Sequence, residues 1–155
     1  MKKFILLGIF ISIASFSQAQ ETGTIRLQVG GDYGFKIETF GVNFGGEYFI
    51  TENISAAPNY TIYFPEGLNA SSLNVDARYY LTLDELQWYG MVGYTNYSVS
   101  NKIMGVKYSD NWSGVNIGSG GVLRIADNLA LNPEIKYQTI GNGQFAVKLG
   151  IVYLL

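Results

Sequence analysis

The amino-acid sequence predicts an all-β protein: an eight-stranded antiparallel up-and-down β-barrel that crosses a membrane and follows a cleaved signal peptide. Three observations support this fold class. About eight runs alternate apolar with polar residues, and no charged side chain falls on the apolar parity. Tight turns alternate with looser connections along the chain. Charged residues make up 14% of the chain, against about a quarter in soluble domains, which indicates that much of the surface meets lipid.

Residues 1–19 have the features of a secretory signal peptide. A positively charged N-terminal region, Met1-Lys2-Lys3, precedes an apolar stretch and a small-x-small cleavage site, Ser17-Gln18-Ala19. The apolar stretch is too short to cross a bilayer, so a retained anchor is the weaker interpretation. We predict cleavage after residue 19, with residues 20–155 forming one outer-membrane barrel domain. Because the sequence has no cysteine, we expect neither disulfides nor a lipid anchor on a thiol.

The first four runs place apolar side chains at every second residue. In the second run, Phe40, Val42 and Phe44 alternate with Gly41 and Asn43. Successive side chains of a strand point to opposite faces, so a period of two gives one apolar and one polar face. Strands of about ten residues can cross a bilayer when they are tilted. The first four strands are predicted within 25–30, 40–50, 54–64 and 73–81.

The last four runs follow the same rule and are predicted as strands within 86–94, 115–123, 129–137 and 145–155. Tight turns are expected at 51–53, 82–85 and 126–128, and looser connections at 34–39, 65–71, 98–111 and 140–143. In membrane barrels the short turns lie on the inner side and the longer loops on the outer side. The one long connection, Ser98 to about Asn111, is therefore predicted to be an external loop.

Two features depart from the regular pattern. Pro58 and Pro133 fall inside predicted strands, where proline removes a hydrogen bond of the ladder, so we expect a bulge or a strand end near each. Residues 45–54 also resemble residues 120–129 at an offset of 75, and the two prolines share that offset. Either a hairpin was duplicated or the same turn chemistry was needed twice.

The polar parity indicates which face points inward. Its charges are nearly balanced, which suits pairing, because unpaired buried charges are costly. It is also rich in glycine, which weakens a strand and packs nothing on a solvent-facing surface. We therefore predict a charge network in a packed polar lumen, and keep as the alternative a secreted soluble barrel with a small apolar ligand inside. The network is predicted from Arg26, Glu47, Asp76, Arg78, Arg124, Glu134, Lys136 and Lys148, and Asp32 shares their parity.

Aromatic residues on the apolar parity lie near the ends of several runs. In membrane barrels such amphipathic rings form girdles at the level of the lipid headgroups. Ordinary β-propensity would also place them in strands. The predicted interface aromatics are Tyr48, Tyr79, Trp88, Tyr137 and Tyr153.

The last strand carries a pattern used as an assembly signal by outer-membrane barrels. Lys148, Gly150 and Tyr153 match it, while Leu155 stands where an aromatic residue is usual. With the leader and the eight runs, the mature chain resembles the OmpA/OmpX-like small outer-membrane β-barrel family. The resemblance implies the outer membrane of a Gram-negative-type bacterium, contact with its lipid and lipopolysaccharide, and insertion by the barrel-assembly machinery. A monomer is expected, and the resemblance identifies no external partner.

Residues that carry out chemistry are scarce. The sequence has no histidine, so the commonest general base and metal ligand is missing. The formal net charge is −2, and about −4 without Lys2 and Lys3, which gives no basic surface for nucleic acid. We predict no catalytic, cofactor-binding or metal site, and a structural or interaction role in the cell envelope. A narrow solute channel is the second possibility, since eight strands leave a lumen that side chains just fill.

Overall fold

A computed structural model describes residues 22–66, 69–103 and 106–155, with the side chains of residues 101–103 and 106–108 left undescribed. The predicted signal peptide and its cleavage site lie outside the described residues. In the described part of the chain, no helix has the length and apolar character needed to span a bilayer.

Eight antiparallel strands follow one another around a closed barrel, and β1 pairs with β8 to close it. The predicted all-β, eight-stranded up-and-down fold is confirmed. Closure leaves every strand paired on both sides over the body of the barrel, as a lipid environment requires. The strands are β1 Ile25–Gly34, β2 Thr39–Phe49, β3 Ile54–Tyr63, β4 Asn69–Tyr80, β5 Leu86–Ile103, β6 Val106–Ala126, β7 Leu129–Gln138 and β8 Gln144–Leu154.

The two ends of the barrel differ in their connections. One end, here named the turn end, carries the connections 50–53, 81–85 and 127–128 together with the start of β1 and the end of β8. The other end, named the hairpin end, carries the end of β5 at Ile103, the start of β6 at Val106 and the segments 35–38, 64–66 and 139–143. The predicted turns therefore lie at one end.

Burial follows the predicted parity. On β1, Arg26 is 2% exposed, whereas its neighbour Leu27 is 51% exposed. The same alternation continues round the barrel, with apolar side chains outward and polar side chains inward. Each Lys or Arg moved to the lipid face near mid-membrane would cost about 2–4 kcal/mol, so a one-residue slip of register is strongly disfavoured.

The predicted external loop at 98–111 is wrong in its conformation. β5 and β6 continue as a paired hairpin, in register from Leu86 and Leu123 up to Ile103 and Val106. Alternating residues such as Tyr97, Val99 and Trp112 favour strand over loop. Polar residues in this segment made it resemble a loop, but continued pairing satisfies the backbone of both strands.

The prolines do not cause the bulges predicted for them. The β2–β3 register is the same on both sides of Pro58, and only the pairs opposite Pro58 and Ala57 are missing from the ladder. At Pro133 the β6–β7 ladder opens in the same way, and the register shift lies instead at Arg124/Ala126 beside the turn. The continued register sets Pro58 against Gly46 and Pro133 against Gly121. A partner without a side chain leaves room for the ring, so the strands stay in register.

Candidate functional site

The interior of the barrel is organised around Arg78, which lies on β4. Its guanidinium contacts Glu134 of β7, with Nη2 2.8 Å from Oε2, and Glu47 of β2, with Nη1 3.3 Å from Oε2. Arg78 therefore spans the lumen and joins carboxylates from opposite sides. All three side chains are buried, so the ion pairs are shielded from water and are mutually dependent.

Three further cations complete the cluster. Lys148 Nζ lies 2.9 Å from Glu134 Oε1, and Lys136 Nζ lies 3.9 Å from the same oxygen. Arg26 Nη1 lies 3.9 Å from Glu47 Oε2 and donates through Nη2 to Gln87 at 2.9 Å. Two glutamates thus hold four cations.

Buried hydroxyls donate hydrogen bonds to the two glutamates, and an aromatic ring packs against Arg78. The hydroxyls of Tyr80 and Ser55 donate to Glu47 Oε1 at 2.8 and 2.5 Å, and that of Tyr89 donates to Glu134 Oε2 at 2.7 Å. The Arg78 guanidinium also lies over the Tyr89 ring, 4.5 Å from its centroid. Charge-assisted hydrogen bonds of this kind are about twice as strong as neutral ones.

Asp76 is placed differently from the prediction. Its carboxylate accepts hydrogen bonds from the side-chain amides of Asn116 at 2.8 Å and Asn59 at 3.1 Å. Asp32, on β1, accepts from the Thr61 hydroxyl at 3.3 Å. Both acids are buried, and these hydrogen bonds to them come from neutral donors. Asp76 thus belongs to an amide layer and not to the arginine cluster.

The amide layer fills the lumen towards the hairpin end. Asn74 donates to Asn59, and Asn116 in turn donates to Asn74, both at 3.1 Å. Gln138 and Gln144 extend the chain of bonds, with Gln144 donating to Gln138 at 3.0 Å. Because each amide both donates and accepts, neighbouring amides can satisfy one another without water. This layer was not predicted from the sequence, although its members share the inward parity.

The turn end of the lumen contains an apolar layer, which corrects the prediction of a packed polar lumen. Arg26 and Gln87 lie at the same level, paired with Leu154 and Val122. Phe49 and Tyr80 have ring centroids 5.3 Å apart, Tyr80 and Tyr89 5.2 Å, and Leu83 of the β4–β5 turn packs against them. Pairs such as Tyr48-Phe49 and Tyr79-Tyr80 signal this layer, because both parities turn apolar where strands approach the short turns. The buried cluster, named the apolar layer, comprises Phe49, Tyr80, Tyr89, Met91, Val122, Ala130, Val152 and Leu154.

Arg124 lies outside the cluster that was predicted to include it. It is half-buried at the turn end and lines a cavity of about 10 Å³ together with Asp84, Glu85 and Arg26. That volume matches about one water molecule. The cavity lies beneath the β4–β5 turn, and Arg26 of the charged cluster forms part of its wall.

Glycines make room for the large side chains of the lumen. A Cβ on Gly93 would collide with the Asp76 carboxylate, and one on Gly120 with the Tyr89 hydroxyl. The β1–β8 seam is tighter still, because a Cβ on Gly30 would lie 2.5 Å from the Leu149 carbonyl oxygen and 2.6 Å from the Gly150 Cα. The glycine-rich polar parity thus reflects a crowded interior.

The remaining predicted positions lie on the outer face or in the last strand. All five predicted interface aromatics are exposed: Tyr48, Tyr79, Trp88 and Tyr153 lie near the turn end, and Tyr137 near the hairpin end. Of the predicted assembly signal, Lys148 and Gly150 face inward, whereas Tyr153 and Leu155 face outward. Their part in assembly stays a prediction.

A closed antiparallel barrel with an apolar outer belt and a packed polar interior defines a small integral outer-membrane β-barrel. The chain belongs to the outer membrane protein β-barrel domain family, whose model matches residues 4–152. This confirms the resemblance to OmpA/OmpX-like barrels. No curated protein sequence matches the chain.

Solved structures share the fold at low sequence identity. The N-terminal β-barrel domain of OprF from Pseudomonas aeruginosa is 19% identical, with 88% of this chain and 100% of that chain covered and a TM-score of 0.73. Neisserial surface protein A is 16% identical, with coverage of 85% and 95% and a TM-score of 0.64. Ail from Yersinia pestis is 13% identical, with coverage of 87% and 99% and a TM-score of 0.61.

Proposed function

We propose that this outer-membrane barrel is a sealed, non-catalytic membrane anchor with a structural or interaction role in the cell envelope. The observation that carries the proposal is the Arg78 bridge, which joins Glu47 and Glu134 across the lumen. An aqueous pore would need an open polar path, whereas here the buried side chains of the charged cluster and of the apolar layer fill the lumen.

Charge balance supports a closed interior. Among the side chains that the structure describes, eight charged ones are buried, four positive and four negative: Arg26, Arg78, Lys136 and Lys148 against Asp32, Glu47, Asp76 and Glu134. A neutral, internally bonded set needs no counterion from solution. The same bonds argue against catalysis, because Glu134 and Glu47 are held by cations and hydroxyls and have no open side towards a substrate.

Reconstitution into planar bilayers tests the seal. The wild-type barrel is expected to leave the membrane silent. A Phe49→Ala/Leu83→Ala variant removes one ring of the apolar layer and the turn side chain that packs against it. It is expected to allow small discrete currents, because water then reaches the charged cluster. Leu27→Ala, on the outer face, is the matched control and should stay silent. Regular conductance steps from wild-type protein would instead favour a narrow solute channel.

The β5–β6 hairpin supports an interaction role. Pairing of β6 with β7 begins at Asn116 and Gln138, whereas pairing with β5 continues to Val106, so about 33 Å of strand extends beyond that point at about 3.3 Å per residue. Over residues 106–113 the described part of the chain provides no strand beside β6 on the β7 side. Unpaired strand edges are ready to bond another extended chain. We infer that the hairpin presents this edge outside the cell.

The sidedness of the hairpin is testable on intact cells. A short peptide tag inserted between residues 104 and 105 is expected to react with a membrane-impermeant reagent, because the hairpin end should face outward. The same tag between Asp127 and Asn128, in a short turn, is the control and should react only after the cells are opened. The reverse pattern would contradict the proposed orientation.

We also propose that residues 1–19 are removed on export, that the barrel-assembly machinery inserts the chain through its last strand, and that the protein works as a monomer in contact with lipid and lipopolysaccharide. The outward Tyr153 and the paired strand β8 support the assembly role. The mass of the mature chain decides the cleavage site.

A further inference from the structure

A groove of about 430 Å³ indents the outer face of the barrel across β8, β1 and β2. Tyr33, Phe40, Val147 and Leu149 wall it, and Gly31 lies among them. Its volume falls within the range of small-ligand sites, about 300–1,000 Å³. Asp32 and Lys148 also border the groove, but their side chains are buried on the lumen side, so they contribute backbone only.

The Phe40 ring packs over Gly31 at one side of the groove. Gly31 shares the outward parity of β1 with Val29 and Tyr33, and it pairs directly with Leu149 of β8. A Cβ on Gly31 would lie 2.8 Å from Phe40 Cε2, so the ring takes the place of a side chain there. The apolar belt is therefore continuous around the groove.

The groove lies towards the hairpin end of the apolar belt. Gly31 is beyond the middle of β1, and the rim residue Tyr33 forms an edge contact with Phe35, 5.4 Å between ring centroids. On the neighbouring strands Tyr137 and Phe145 make a second edge contact at 5.1 Å. Rings at this level mark the headgroup boundary of a barrel, so the groove lies just inside the acyl region of one leaflet.

We propose that this groove binds one acyl chain of a membrane lipid from the leaflet at the hairpin end. Every side chain that lines it is apolar or aromatic, which suits a hydrocarbon chain and provides no charged partner for a polar ligand. It is continuous with the lipid-contacting belt of an outer-membrane barrel, so an acyl chain has direct access. The proposal rests on that membrane placement and not on the sealed lumen, so the two can fail separately.

Photolabelling with a lipid of defined structure tests the groove. The barrel is reconstituted in phosphatidylcholine vesicles that contain a phosphatidylcholine with a diazirine on one acyl chain. Labelling after illumination is expected to concentrate several-fold on the peptides that contain residues 31–40 and 147–149. Gly31→Leu pushes the Phe40 ring into the groove and adds a side chain beside it, so it should remove this excess. Gly90→Leu is the matched control, because a Cβ at that outward position meets nothing within 4 Å.

A second variant tests the groove independently, in case Gly31→Leu does not fold. Val147→Phe narrows the groove from β8 without touching Gly31, and it should also reduce the labelling excess. Both variants are checked for a folded barrel by the difference in gel mobility between heated and unheated samples. Three results would overturn the proposal. They are labelling spread evenly around the apolar belt, no labelling at all, and an excess that persists in the folded Gly31→Leu and Val147→Phe variants.

Discussion

Replacement of Glu134 with leucine is expected to lower the free energy of unfolding by about 3–5 kcal/mol, the usual cost of removing one partner from a buried ion pair. The change deprives Arg78 and Lys148 of a carboxylate at 2.8 and 2.9 Å and leaves the Tyr89 hydroxyl without its acceptor. Denaturant titration of the barrel in lipid vesicles, followed by tryptophan fluorescence, measures the loss.

Two controls make the Glu134 result interpretable. Glu66→Leu removes an exposed acid from the connection after β3 and should change stability by no more than about 0.5 kcal/mol. The double variant Glu134→Leu/Lys148→Met also removes one of the cations left without a partner. Its free energy of unfolding should therefore fall by less than that of Glu134→Leu alone. Equal stability of Glu134→Leu and wild type would show that the cluster is not a stabilising network.

Val29→Arg is expected to have the second largest effect: it should lower the free energy of unfolding from the membrane by about 2–4 kcal/mol. Val29 lies near the middle of β1, points outward and is 46% exposed, so the new guanidinium would meet hydrocarbon at the depth where a charge is most costly. The fraction of chain that folds into phosphatidylcholine vesicles across a urea series measures the change.

Ile25→Arg is the matched control for Val29→Arg. Ile25 shares the strand and the outward face but lies four residues nearer the turn end, about 13 Å along the strand. Its predicted cost is about 0–1 kcal/mol, because the charge reaches the headgroup region. Equal and small effects of the two substitutions would mean that water surrounds the barrel, and would restore the secreted soluble barrel as an interpretation.

Much of the fold could be predicted because strand alternation is local. Whether Leu27 points away from Arg26 depends on the backbone of the residues themselves, and one charged residue on the wrong face is costly enough to keep the pattern strict. The β5–β6 hairpin was harder, because residues 98–111 mix polar and aromatic side chains, and only pairing with a partner strand decides between a loop and a hairpin.

The sequence predicted which residues lie in the interior, but not which of them contact one another. Composition and parity placed Glu134, Lys136 and Arg78 in the lumen, but nothing local distinguishes a carboxylate held by cations from Asp76, which is held by amides. The choice depends on the height of each residue in the barrel, and height follows from the stagger between distant strands.

The sequence by itself determined which residues face lipid and which face inward, because a period of two is a property of the extended chain. Tertiary structure alone decided that Arg78 joins carboxylates 31 and 56 positions away, that the amides form one layer and the aromatic rings another, and that a groove forms where Tyr33, Phe40 and Leu149 meet. Those contacts arise when β1 closes on β8 and sets the register of all eight strands, and no segment of the chain contains that information.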